Sequence, residues 1–278
     1  MELNWLQSII LGLISGLTDI LPVSAQTHRL VLLKLFGENE DPVLLRLIID
    51  IGVLMALWYG CRGQIIRLTR AQRLAKIPKR RRKRPLDTKS LMDYSLLKTT
   101  LIPIILAFLL YSKTLSLYGN LILMAAFLFL NGVMMYVPQF LPGSNKDSSY
   151  VSRIEGLLMG LGAAVSTVPG FSCVGMAASV GSLLGMDQGY TLYVALLMHI
   201  PVSIGYVVYD MIGVVQAGLA GLGFATFIGF LLAGIAAFAG VLVGMHFLKK
   251  TVSSIGYSLF AFYCWGAALF TFILSLSI

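Results

Sequence analysis

Hydrophobic positions along this chain come in long uniform runs. Residues 101–110, 121–137 and 224–243 carry no charged side chain at all. A barrel strand would alternate apolar and polar positions, so runs of this kind predict membrane-crossing helices. Six such helices are predicted, over 44–59, 95–111, 121–137, 191–211, 224–247 and 255–276. Composition agrees: 58% of the 278 residues are hydrophobic and 12% are charged, with mean hydropathy +0.86. Lipid is the solvent for most of such a chain.

Two further apolar segments are too long for one simple crossing, which needs about 20 residues. They cover 5–36 and 154–186, and each carries Pro, Ser and Thr near its middle. Each is predicted to be a re-entrant helical hairpin that enters and leaves on one side. GLISGLTDILPVS from Gly12 also aligns with GLGAAVSTVPGFS from Gly160, bringing Pro22 opposite Pro169 after a one-residue shift. The similarity predicts two repeats, 1–138 and 139–278, within one membrane domain.

Charge sets the expected orientation. The net charge is +9, and thirteen of the 21 Lys and Arg residues fall between Arg62 and Lys98. A basic block between apolar segments is read as a cytoplasmic loop, here 62–94, facing anionic lipid headgroups rather than nucleic acid. Threading six crossings from that loop puts both termini outside and makes the hairpins enter from opposite sides. The expected fold is therefore an all-α integral membrane bundle of inverted-topology repeats, about six transmembrane helices plus two re-entrant hairpins. Residues 1–5 lack a basic region, so no cleavable signal is expected. Cys61, Cys173 and Cys264 show neither metal-ligand spacing nor an even count for a disulfide framework.

Paired interrupted segments point to a site near the membrane midplane. The first break gathers Thr18, Asp19, Ser24, Gln26, Thr27, His28 and Arg29, and ionisable groups at such depth are functional by default. Ser15 and Asp19 share a helix face. The second break, residues 166–175, is uncharged and rich in Gly and hydroxyls, including Gly170 and Ser172. Such a turn at a helix N-terminus can offer backbone N–H groups to an anion. His199 and His246 lie in unbroken apolar segments without nearby acids and are read as structural. Arg46 and Asp50, four apart, are read as an intrahelical ion pair, Asp210 as interfacial, and Cys173 as a small apolar filler.

The stretch GLTDILPVSAQTH at 16–28 resembles the GLTEFLPVSSTGH signature of the undecaprenyl-diphosphate phosphatase family, and VPGFSCVG at 168–175 resembles its PGFSRSG. Both hairpins, the basic loop and the chain length fit the same family. The resemblance implies a membrane hydrolase that converts a C55 polyprenyl diphosphate to polyprenyl phosphate and phosphate. It thereby recycles the lipid carrier of cell-wall peptidoglycan and affects bacitracin resistance. It also implies a divalent cation, Ca²⁺ or Mg²⁺, and a multi-pass location in the bacterial plasma membrane. The partners implied are the lipid substrate and membrane lipids, with a homodimer left open.

Carried over by position, Asp19 stands at the second motif glutamate as a catalytic and metal-holding carboxylate. Ser24 is the first serine of a pair, and His28 is the motif histidine, an acid/base or phospho-acceptor. Ser172, Gly170 and Thr18 line the diphosphate, with Arg29 as a candidate replacement cation. This chain departs from the pattern at Ser15, where the family has its first glutamate, at Ala25, where it has a second serine, and at Cys173, where it has an arginine. Those departures keep a second reading open, a catalytically inactive relative that binds or transports a polyprenyl phosphate or similar lipid.

Overall fold

The computed structural model describes residues 3–38, 41–141, 146–147, 149–218 and 223–277. Its regular elements are helices, with one isolated bridge between Lys146 and Met186. In chain order they are α1 (Trp5–Ile20), α2 (Ala25–Leu35), α3 (Val43–Ala75), α4 (Thr88–Leu109), α5 (Tyr111–Leu115), α6 (Leu121–Tyr136), α7 (Arg153–Val165), α8 (Cys173–Leu183), α9 (Gln188–Ala217), α10 (Phe224–Ser254) and α11 (Ser258–Ser277). Helices α3, α4, α6 with its 3-10 extension to Phe140, α9, α10 and α11 are long and apolar enough to cross a membrane. Large apolar side chains such as Ile105, Leu109, Ile235 and Leu276 face outward. The protein is a multi-pass helical membrane protein.

The remaining apolar helices are short. α1 has 16 residues and α2 has 11, so at 1.5 Å per residue they extend about 24 and 17 Å, less than the roughly 30 Å hydrocarbon core. Each pair, α1 with α2 and α7 with α8, folds back on itself. α1 opens with a capping box between Asn4 and Gln7 and ends just before Pro22, which lacks an N–H and cannot continue the ladder. Ser24 then takes φ +64°, a left-handed conformation costly for a residue with a Cβ. α7 repeats the device with a Ser152–Glu155 capping box. Its break ends at Gly170, φ +107°, where a Cβ would lie 2.5 Å from Phe127 Cβ, so only glycine fits.

Close packing of small residues joins the hairpins to the long helices. A Cβ on Gly16 of α1 would fall 2.1 Å from the Ala237 carbonyl oxygen of α10, and one on Gly160 of α7 would fall 2.6 Å from that of Thr100 in α4. Such approach is how helices gain contact where lipid supplies no hydrophobic drive. α6 packs on α11, and α3 on both α9 and α10. Exchanging the two halves of the chain therefore maps α1–α10 onto α7–α4 and leaves α6–α11 and α3–α9 as central pairs.

The basic stretch differs from the expected loop. α3 continues to Ala75 and α4 starts at Thr88, so the loop is 76–87. Arg, Gln, Leu and Ala are good helix formers. The extension is also held sideways, with Arg62 over the Tyr59 ring at 4.3 Å and Arg67 Nη2 donating to the Tyr193 hydroxyl at 2.9 Å.

Candidate functional site

The two breaks meet inside the bundle, held by Asn131 of α6. Its Nδ2 donates to the Pro22 carbonyl at 3.0 Å, and its Oδ1 accepts from the Ser172 N–H at 3.0 Å. Ser172 Oγ donates to the Leu21 carbonyl at 3.3 Å and also accepts the Gly175 N–H at 3.2 Å, capping α8. Cys264 of α11 adds a weak contact to Pro22 O at 3.5 Å. Backbone groups freed by the breaks thus find partners without water, as the membrane interior demands.

Where the breaks meet lies a narrow cleft of about 20 Å³, lined among others by Asp19, Gln26, Ser172, Cys173, His199 and Tyr206, room for about one water molecule. Asp19 sits at the end of α1. His199 of α9 places Nε2 2.7 Å from Asp19 Oδ2 and its ring beside the Cys173 side chain, and among the described residues neither ring nitrogen makes a well-aligned hydrogen bond. Tyr206, two turns along α9, donates to the Ser166 carbonyl at 2.8 Å. α8 begins at this cleft with Cys173, and a helix N-terminus supplies the electrostatics that favour an anion.

The residues expected from sequence divide into two groups. Asp19 and Ser172 line the cleft, as do the departures Ala25 and Cys173. Gly170 shapes the second break against α6. Thr18 spends its hydroxyl on the Ile14 carbonyl at 2.7 Å, Ser15 is buried one turn earlier with its hydroxyl unpartnered, and Ser24 Oγ pairs with Thr27 Oγ1 at 3.1 Å. His28 faces α11, with Nδ1 on the Ser24 carbonyl at 2.8 Å, Nε2 on the Tyr263 hydroxyl at 2.9 Å and its ring stacked on that tyrosine. Arg29 is buried away from the cleft, its Nε 2.9 Å from Asp41 Oδ2 and its Nη1 3.7 Å from Asp50 Oδ1.

Three expectations are corrected by these contacts. His199 does have a partner acid, supplied by a helix 180 positions away in sequence. Arg46 does not pair with Asp50 along its own helix but with Asp210 of α9, leaving Asp50 to Arg29. Asp210 is accordingly buried, 2% exposed, rather than interfacial. Buried charges must be paired, and a fork to a neighbouring helix satisfies more donors than an intrahelical contact. His246, by contrast, lies on the exposed face of α10.

Asn131, His199 and Tyr206 were not singled out by sequence as site residues, and Gln26 only as one of the polar groups of the first break. Asn131 and His199 each stand alone in an apolar span, and an isolated polar group at that depth was the available signal. A divalent cation fits the chain's own side chains poorly. Among the described residues no group of three or more His, Cys, Asp or Glu converges as a metal site, and Asp19 is engaged by His199.

Short interrupted hairpins meeting at a buried polar cleft, packed among six long apolar helices, define a multi-pass membrane protein with an intramembrane site. The chain belongs to the family described as bacitracin resistance protein BacA, whose profile it matches over residues 8–270. It is 30% identical over 281 residues to an undecaprenyl-diphosphatase of Methanobrevibacter smithii, covering 98% of each chain. Two others of that name are similar: one from a Nocardioides species, 30% identical over 75% of each chain, and one from Carboxydothermus hydrogenoformans, 26% identical over 89% of this chain and 90% of the other.

Proposed function

We propose that this protein is a polyprenyl diphosphate phosphatase, releasing phosphate and polyprenyl phosphate within the membrane. The observation that carries the reading is the meeting of both helix breaks at one buried cleft, where Asp19 faces the N-terminal turn of α8. Its relatives, which are undecaprenyl-diphosphatases by name, supply the substrate class, undecaprenyl diphosphate.

An amphiphilic substrate suits this placement, because its isoprenoid tail stays in lipid while its headgroup reaches the midplane. The cleft must widen to admit a phosphate. α2, which packs on α1 and only lightly on α6, is the wall that moves, carrying Ala25 and Gln26 with it. The N–H groups of Cys173 and Val174, at the start of α8 ahead of the capped Gly175, then hold the terminal phosphate. Asp19 orients a water through Oδ1, the oxygen that does not face His199, and accepts its proton there. The new P–O bond forms as the bridging P–O bond breaks, and the leaving oxygen departs with polyprenyl phosphate. Ser24 and His28 frame the first turn from behind, His28 acting through the Ser24 carbonyl.

Purified protein in detergent, given a C55 diphosphate with and without Ca²⁺ or Mg²⁺, is expected to release phosphate, and Asp19→Asn to lose about 100-fold or more of that rate. The lipid-binding or transport reading rests on one observation: Arg29 is committed to Asp41 and Asp50 and brings no charge to the cleft. Tight binding of polyprenyl phosphate with no turnover of the diphosphate would favour it.

A further inference from the structure

We infer that His199 is a catalytic residue of this cleft, the side chain that holds the transferred phosphate in place of a cation from either break. The inference rests on the phosphatase reading. Its ground is the position of His199 itself. The residue comes from an unbroken helix, α9, is 2% exposed, and lines the cleft beside Cys173 and Ser172. Its Nε2 is 2.7 Å from Asp19 Oδ2, and among the described residues Nδ1 makes no well-aligned hydrogen bond. A buried imidazole with one nitrogen to spare has capacity beyond what the fold uses, because such groups normally find partners at folding.

The charge inventory around the cleft leads to the same residue. A diphosphate brings several negative charges into a low-dielectric site, where an uncompensated charge is costly. Arg29 is spent on Asp41 and Asp50, and Arg46 on Asp210. The residues lining the cleft include no Lys or Arg. An imidazole held at one nitrogen by a carboxylate and donating from the other to a phosphate oxygen carries both its protons, and therefore a positive charge. Asp19 fixes the ring as a carboxylate fixes the histidine of a hydrolase triad. When α2 moves aside, the phosphate takes up the free donor next to the α8 N-terminus.

The test is a mutant cycle on phosphate release from a C55 diphosphate, with Tm and size-exclusion elution recorded for every variant. His199→Gln is expected to lower kcat/KM about 100-fold or more, in the range for removal of one oxyanion-stabilising donor. Cys173→Arg places a guanidinium in the same cleft. In the His199→Gln background it is expected to restore at least tenfold, a rescue that a purely structural histidine would not show. In the otherwise unchanged protein it is expected to give no tenfold gain, because the cation is already present. A His199→Gln protein that is folded and within threefold of the starting rate would overturn the assignment. So would a gain of tenfold or more from Cys173→Arg alone, a result readable even if His199→Gln does not fold. No phosphate release from the unmodified protein would instead sink the phosphatase reading, and this assignment with it.

Discussion

Arg46 of α3 and Asp210 of α9 form a fork: Nε lies 2.9 and 2.8 Å from the two carboxylate oxygens, and Nη2 lies 2.6 Å from Oδ1. The residues are 164 positions apart and both are buried. Removing one partner leaves a charge stranded in the bundle, so Arg46→Met or Asp210→Leu alone is expected to cost about 3–5 kcal/mol. The double variant, with no charge left to strand, is expected to recover most of that loss. Thermal or denaturant unfolding in detergent reads the cycle, and purely additive losses would show that the two side chains are not coupled.

Asn131 and Ser172 give a second prediction. Asn131→Leu keeps the volume of the side chain but leaves the Pro22 carbonyl and the Ser172 N–H without their amide partner. Each unsatisfied buried group costs about 1–3 kcal/mol. The variant should lose stability of that order and lose phosphate release more steeply, because both walls of the cleft depend on that amide. A stable Asn131→Leu protein with full activity would mean that the turns hold themselves.

Ser24 separates strain from hydrogen bonding. Gly tolerates φ +64° without the Cβ penalty, whereas Ala retains the penalty and also loses the bond to Thr27. Ser24→Gly is therefore expected to be more stable than Ser24→Ala by about 1–2 kcal/mol. Equal Tm values for the two would show that the left-handed turn stores no strain.

The fold was largely legible in the sequence, and the site only in part. Long uncharged runs have few alternatives in a membrane, so six spans and two broken hairpins could be read from period, length and Pro placement. A basic block between apolar segments reads as loop throughout, whereas α3 continues to Ala75 and its Arg62 and Arg67 find Tyr59 and Tyr193. Asp19 and Ser172 were found because they sit in the breaks. His199 and Asn131 were not, because their partners are Asp19, Pro22 and Ser172 from distant segments, and local sequence carries no trace of such pairings. The same blindness assigned Asp50 to Arg46, its nearest charge along the helix, when both had partners from other elements.

Asp87 allows a pH test outside the membrane segments. It caps α4, accepting the Ser90 N–H at 3.0 Å and the Ser90 hydroxyl at 2.6 Å. These bonds hold its carboxyl below the usual carboxylate range. A carboxylate depressed on folding stabilises the fold above its unfolded pKa and loses that contribution as pH falls through the folded value. Asp87→Ala should therefore lower Tm near pH 7, by a cap's worth of about 0.5–2 kcal/mol, tending to the low end at an exposed site. The difference should shrink as pH falls through the folded-state value of that carboxyl. A gap that persists in acid would assign the effect to helix propensity instead.

The double grip of Asn131 has a further consequence for how this site can vary. Because α6 carries both turns on main-chain atoms, the shape of the frame depends on the Pro22 carbonyl and the Ser172 amide, with the Ser172 hydroxyl bond to Leu21, and on no hydrogen bond from Ser15, Ala25 or Cys173. Ser15, Ala25 and Cys173 can then differ from the family pattern while the scaffold that displays them stays in register. Chemistry lost at one wall can be resupplied from another helix, as a fixture accepts a new tool without being rebuilt.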